Sequence, residues 1–144
     1  MKLSEGMKET IKERLGYTDE EFKIFLDNPN NLDLLAKSLP LSNKTIVIEV
    51  IDSHGCNSQH KKGDKIYFDG TGNLLTKLSP KKICMFALSV LDTLIHSAVE
   101  LMHAGVDPNE MSFKRVGCVD IGLKCGGWGR IIMELKVIDR DKIN

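Results

Sequence analysis

Five side chains in this sequence are of types that can do chemistry together: Cys56, His60, Cys84, Cys118 and Cys125. Thiolate sulfur and imidazole nitrogen are the donors that borderline-soft metal ions prefer, and a deprotonated thiol is also a nucleophile. Cys56 and His60 stand four residues apart in a polar stretch, a spacing at which a turn can aim both at one ion. Cys118 and Cys125 are seven apart, at the end of an expected strand and inside the run Gly122-Leu123-Lys124-Cys125-Gly126-Gly127-Trp128-Gly129. That gap exceeds the roughly two to four residues of familiar zinc ribbons, so the pattern is not a zinc finger. Loops at the ends of neighbouring strands would have to bring the pairs together, and the first turn of a helix would add Cys84. Three protein ligands with an open position favour hydrolase or lyase chemistry, and four favour a structural ion. Zinc is expected ahead of iron. The alternative for each cysteine is a small buried hydrophobe.

A second chemistry uses the same atoms. An exposed Cys56 close to His54 and His60 would hold its proton weakly, and Cys118 or Cys125 would resolve the oxidised form, which makes a thiol-redox protein. The absence of a Cys-x-x-Cys motif ranks this reading below the metal. Asp120 and Trp128 complete the candidate pocket. The glycines around Trp128 permit close backbone approach, so this loop can hold an anion, let Trp128 wall a pocket, or simply turn the chain tightly. His96 and His103 share a stripe with Asp92 that reads as a solvated helix face. Gly63-Asp64 and Gly70-Thr71-Gly72-Asn73 are turn chemistry and have neither Walker nor dinucleotide spacing.

Gly55-Cys56-x-x-x-His60-Lys61-x-Gly63-Asp64 followed by an aromatic strand, then Cys84-x-x-Ala87, then Cys118-x-Asp120, resembles a short, uncharacterised prokaryotic family over about residues 45–138. Its members carry Cys-Pro-x-Gly-His-x-x-Gly-Asp, Cys-Pro-x-Ala and a late Cys-Pro-Asp. This chain has Asn57, Met85 and Val119 at the proline positions and Gln59 at a glycine position, departures that bear on loop geometry. The resemblance implies that Cys56, His60, Cys84 and Cys118 form one group and that Cys125 is peculiar to this chain. It brings no established activity.

The elements that must position these residues follow from periodicity and punctuation. Residues 1–44 read as a helical segment: a charged helix from Glu5 to Leu15 ended by Gly16, a second begun by the capping box Thr18-Asp19-Glu20-Glu21, and a third ending at Pro40. Residues 45–144 read as an α+β core. Ile46 to Ile51 and Lys65 to Asp69 are expected strands around an exposed loop, and Phe113 to Val119 and Arg130 to Val137 are two more. Between the pairs, Ser79-Pro80 and Gly105 bracket one long helix from Pro80 to Ala104, with Cys84, Ala87, Leu88, Leu91, Ile95, Ala98 and Met102 on its core face. A small antiparallel sheet packed on one long helix, preceded by short helices, is the expected fold.

Composition sets the limits on partners. Twenty basic residues balance twenty acidic ones, so no net field draws the chain to nucleic acid or to an anionic membrane. The most apolar stretch, Ile83 to Met102, carries Asp92, His96 and Glu100 and is no membrane span. The amino terminus has no secretory pattern, which leads us to expect a cytoplasmic protein with reduced thiols. A homodimer is expected through the helical segment, where Met7, Ile11, Phe22 and Phe25 are apolar anchors, alongside a small-molecule substrate if the site is catalytic.

Overall fold

The computed structural model describes residues 3–143. It divides into two compact units, one ending at Leu39 and one beginning at Pro40. The first unit holds α1 (Glu5–Leu15), α2 (Asp19–Asp27) and α3 (Pro29–Ser38). Thr18 and Glu21 close the expected reciprocal capping box, while Ser4 accepts from the Met7 amide and Asn28 from the Asn30 amide at the starts of α1 and α3. Gly16, in the left-handed region at φ 69°, ends α1 with amide bonds back to Lys12 and Glu13. Among the described residues of this unit Phe22 alone is buried, and Leu15, Ile24, Leu34 and Leu39 are exposed.

In the second unit, apolar residues at alternate positions select each other across the chain. β1 (Lys44–His54) pairs antiparallel with β2 (Lys65–Asp69) on one side and with β4 (Arg130–Asp139) on the other, and β3 (Arg115–Gly117) adds to the far edge of β4. The register sets Ile46 opposite Val137 and Phe68, Ile48 opposite Leu135 and Ile66, and Val50 opposite Met133. All of these face one core with Ile131, which Ala87, Leu91 and Ala98 cover from the helical side. The sheet is small and antiparallel and the fold is α+β, as the patterning predicts.

One expected element is corrected. The stretch Pro80 to Ala104 is not one helix: residues 80–84 are not helical, α4 spans only Met85–Leu88, and α5 spans Asp92–His103. The start signal at Ser79 serves another purpose. Its hydroxyl accepts from the Tyr67 amide at 2.9 Å, and Leu75 donates its amide to the Tyr67 carbonyl, so this segment satisfies the free edge of β2. Between the two helices Leu91 bonds to Leu88 in the tighter one-to-four pattern, while Ser89 and Leu91 keep helical torsions. That continuity of torsion preserves the expected inward face. Ala87, Leu91 and Ala98 are buried, with Cys84, Leu88, Ile95 and Met102 packed against them. Gly105, at φ 76°, ends α5 where the sequence places it.

A further irregularity matters for the site. Beyond Val50 the pairing of β1 with β4 shifts by one, so that Ser53, not Asp52, stands opposite Ile131. This β-bulge at Ile51 turns Asp52 and His54 to the outer face and Ser53 to the inner one. Ser79→Ala distinguishes an edge-bridging serine from a helix cap. We expect a loss of about 1 kcal/mol with faster amide exchange at Tyr67 and unchanged exchange within residues 95–103, measured by hydrogen exchange and urea unfolding.

Candidate functional site

The bulge places the next segment. Ser53 donates its hydroxyl to the His60 carbonyl at 2.6 Å, folding residues 55–60 back over the end of the sheet. Within this loop Cys56, Ser58 and His60 all line one cavity of about 390 Å3. The loop closes through Gln59, whose φ is 62°; it is the one non-glycine among the described residues in the left-handed region. Gln59 occupies the position at which the family resembled above carries glycine, the residue that adopts this torsion freely.

His60 is 5% exposed, and its ring does a defined job. Its Nε2 accepts the Cys84 amide at 3.1 Å, while Nδ1 lies 3.9 Å from the Asp64 carboxylate. An Nε2 that accepts must carry a lone pair, so the proton of the neutral ring sits on Nδ1. Asp64 is held in turn by the Lys61 amide. The imidazole thereby seats the residue that begins α4.

Cys84 stands in extended backbone at the N-cap of α4, with its carbonyl accepting the amides of Ala87 and Leu88. Ser58, which lines the same cavity, holds the Cys84 thiol below the ordinary cysteine range by hydrogen bonding to the thiolate form. Burial opposes this, and the amides of Phe86 and Ala87 support it. Donors aimed at sulfur stabilise the thiolate, the form that attacks electrophiles and binds metals.

Cys118 extends the edge of β3 by donating its amide to the Ile131 carbonyl. Its sulfur accepts the Ile131 amide at 3.4 Å and points its proton at the Asp120 carbonyl. The following amide, Val119, bonds to the Phe86 carbonyl at 3.2 Å, which ties the Cys118 segment to α4. Two loops and a helix start thus meet at one end of the sheet.

The glycine-rich loop does bind an anion, and the anion is its own. The Asp120 carboxylate accepts the amides of Gly122, Trp128 and Gly129, and these hold it below the usual carboxylate range. The glycines are required by space: a Cβ on Gly127 would meet Asp120 Oδ1 at 2.0 Å, and one on Gly129 would meet the Gly55 carbonyl oxygen at 2.0 Å. Trp128 is left 76% exposed at the cavity wall, opposite a 62% exposed Phe86 on α4.

Of the residues singled out in the sequence, the cavity brings together Cys56, His60, Cys84, Cys118, Asp120 and Trp128. Cys125 and His54 line a separate hollow with Asp52, Leu123 and Arg130, and Cys125 is exposed there. The bulge that turns His54 outward accounts for its separation from the thiols. Among the described residues no three His, Cys, Asp or Glu side chains stand close enough to share a metal ion. His60 gives one reason, since its Nε2 is occupied by the Cys84 amide. A larger hollow of about 680 Å3, lined by Lys44, Asp107, Asn109 and Lys142, contains no thiol. Among the described residues no helix is long and apolar enough to cross a membrane.

Ser58 and Phe86 are the site residues that sequence reasoning overlooks. Ser58 shares the alternation Cys56-x-Ser58-x-His60, which would have pointed to it. Phe86 carries no signal, because a helix running through it would make it an ordinary surface residue. No protein-family model, no curated protein and no solved structure matches this chain. Gln59→Gly should raise stability by about 0.5–1 kcal/mol in urea unfolding, because glycine relieves the left-handed torsion by more than it adds to unfolded-state entropy.

Proposed function

We propose that this protein acts through thiol chemistry, with Cys84 as the reactive thiolate and Cys56 or Cys118 as the second thiol of the cavity. The observation that carries this reading is the setting of Cys84: its amide held by His60, and Ser58 and two further thiols lining the same cavity as its sulfur. The Cys84 thiolate would attack a disulfide or peroxide substrate, breaking its S–S or O–O bond and releasing a thiol or an alcohol. The second thiol would then attack the Cys84 sulfur, forming an intramolecular disulfide and releasing the substrate's other thiol, or water from the sulfenic acid.

The test is alkylation of each cysteine against pH, read by peptide mass. Cys84 should label with a midpoint below the ordinary value of 9.0, and Ser58→Ala should move that midpoint upward because a donor to the thiolate is lost. Restoration by Ser58→Thr would attribute the shift to the hydroxyl. Labelling of Cys84 only at or above the ordinary midpoint in the natural sequence removes the support for this reading.

A second reading draws on the same cavity. Three sulfurs and an imidazole on one wall are a donor set for zinc, or next for iron, once the thiols rotate and His60 releases the Cys84 amide. Elemental analysis of untagged protein purified without chelators measures this. The metal reading expects about one equivalent, which Cys118→Ser should abolish; less than about a tenth of an equivalent rejects it.

A further inference from the structure

The lining of the thiol cavity is one-sided in charge. Phe86 and Trp128, both exposed aromatic residues, and the buried Ala87 and Ile131 line it, and neither lysine nor arginine does. Its one formal charge is Asp120, whose oxygens are filled by backbone amides but whose negative charge remains. Thiolate and carboxylate repel an anion, and the π systems of two exposed aromatic side chains favour a cation over one. Lys61, Lys62, Lys81 and Lys82 are exposed beside the cysteine segments in sequence, yet none reaches the lining. Salt screens the field of such exposed charges.

We propose that the cavity takes apolar electrophiles that are uncharged or cationic and turns anionic ones away, with Trp128 and Phe86 as the residues that set this specificity. The inference rests on the reading of Cys84 as the reactive thiolate and names the class of molecule that thiolate would meet. A cavity of about 390 Å3 accommodates a small ligand, and exposed aromatic rings at its wall gain contact only when one is present.

Methanethiosulfonates test this with the chemistry held constant. The Cys84 thiolate attacks the sulfenyl sulfur, a disulfide forms, and the reagent's own S–S bond breaks as methanesulfinate leaves with the electron pair. Four reagents suffice: the cationic trimethylammonioethyl, the anionic sulfonatoethyl, the neutral benzyl and the neutral methyl compound. Rates at Cys84 in the full chain are followed by mass of its peptide and divided by the rate of each reagent with a free small thiol. The cationic reagent should exceed the anionic one by about tenfold or more, and the preference should persist at about 0.5 M salt.

Trp128→Ala should lower the benzyl rate about threefold to tenfold and leave the methyl rate unchanged; Phe86→Ala should act in the same direction. Trp128 is exposed, so folding is not at stake in its replacement, and as the sole tryptophan its fluorescence reports occupancy directly in the natural sequence. Equal normalised rates for cation and anion, or a benzyl rate indifferent to both aromatic replacements, would overturn the proposal. An anion preferred at low salt would overturn it too, by assigning access to the lysines. If no reagent modifies Cys84 faster than it modifies a free thiol, the reactive-thiolate reading fails first and this inference falls with it.

Discussion

The second unit depends on the antiparallel pairing of β1 with β4. It joins residues as far apart as Lys44 and Asp139, ninety-five positions along the chain, and gathers most of the fully buried side chains into one layer. Closing so long a loop is entropically unfavourable until the strands are in register, so the apolar alternation of both must be exact to offset it. A slip of one residue would carry Ile46, Ile48 and Val50 to the opposite face. The slip that does occur is confined to the bulge at Ile51, beyond the core, where it redirects Ser53 toward the loop that bears Cys56, Ser58 and His60.

From that bulge the site follows as a chain of hydrogen bonds. Ser53 holds the His60 carbonyl, the His60 ring holds the Cys84 amide, and the α4 carbonyl at Phe86 accepts the amide after Cys118. The first closes a loop and the other two link segments distant in sequence, and none uses a thiol to do so. The sulfurs are thereby left facing a cavity while the backbone around them is satisfied. Asp120 plays the corresponding part on the opposite wall. By filling the amides of the glycine-rich loop it fixes where Trp128 stands and makes the loop unavailable to an external anion.

The helices at the amino terminus form a different kind of object. Their caps and terminators are complete, but one buried phenylalanine is little apolar burial for a unit of this size. Local signals of this kind specify helices without specifying what those helices cover.

Much was therefore legible in the sequence alone. Capping residues and left-handed glycines act over one turn, which is why the start of α2 and the ends of α1 and α5 stand where Thr18, Gly16 and Gly105 put them. Strand alternation pointed to the residues of β4 that face inward, and residue chemistry pointed to Cys56, His60, Cys84, Cys118 and Cys125 together, with only the family resemblance implying that Cys125 stands apart. What only tertiary structure decided is where a local signal has two uses. Ser79 reads as a helix cap, yet the unpaired edge of β2 takes its hydroxyl, and residues 80–84 lose the helix. His60 reads as a ligand, yet its acceptor nitrogen meets a backbone amide that only folding brings near. Cys125 has the right chemistry but lies within the glycine-rich loop on a separate hollow, outside the cavity of the other three. In each case a hydrogen bond to a distant partner competes with the local role, and sequence proximity carries no information about which partner arrives.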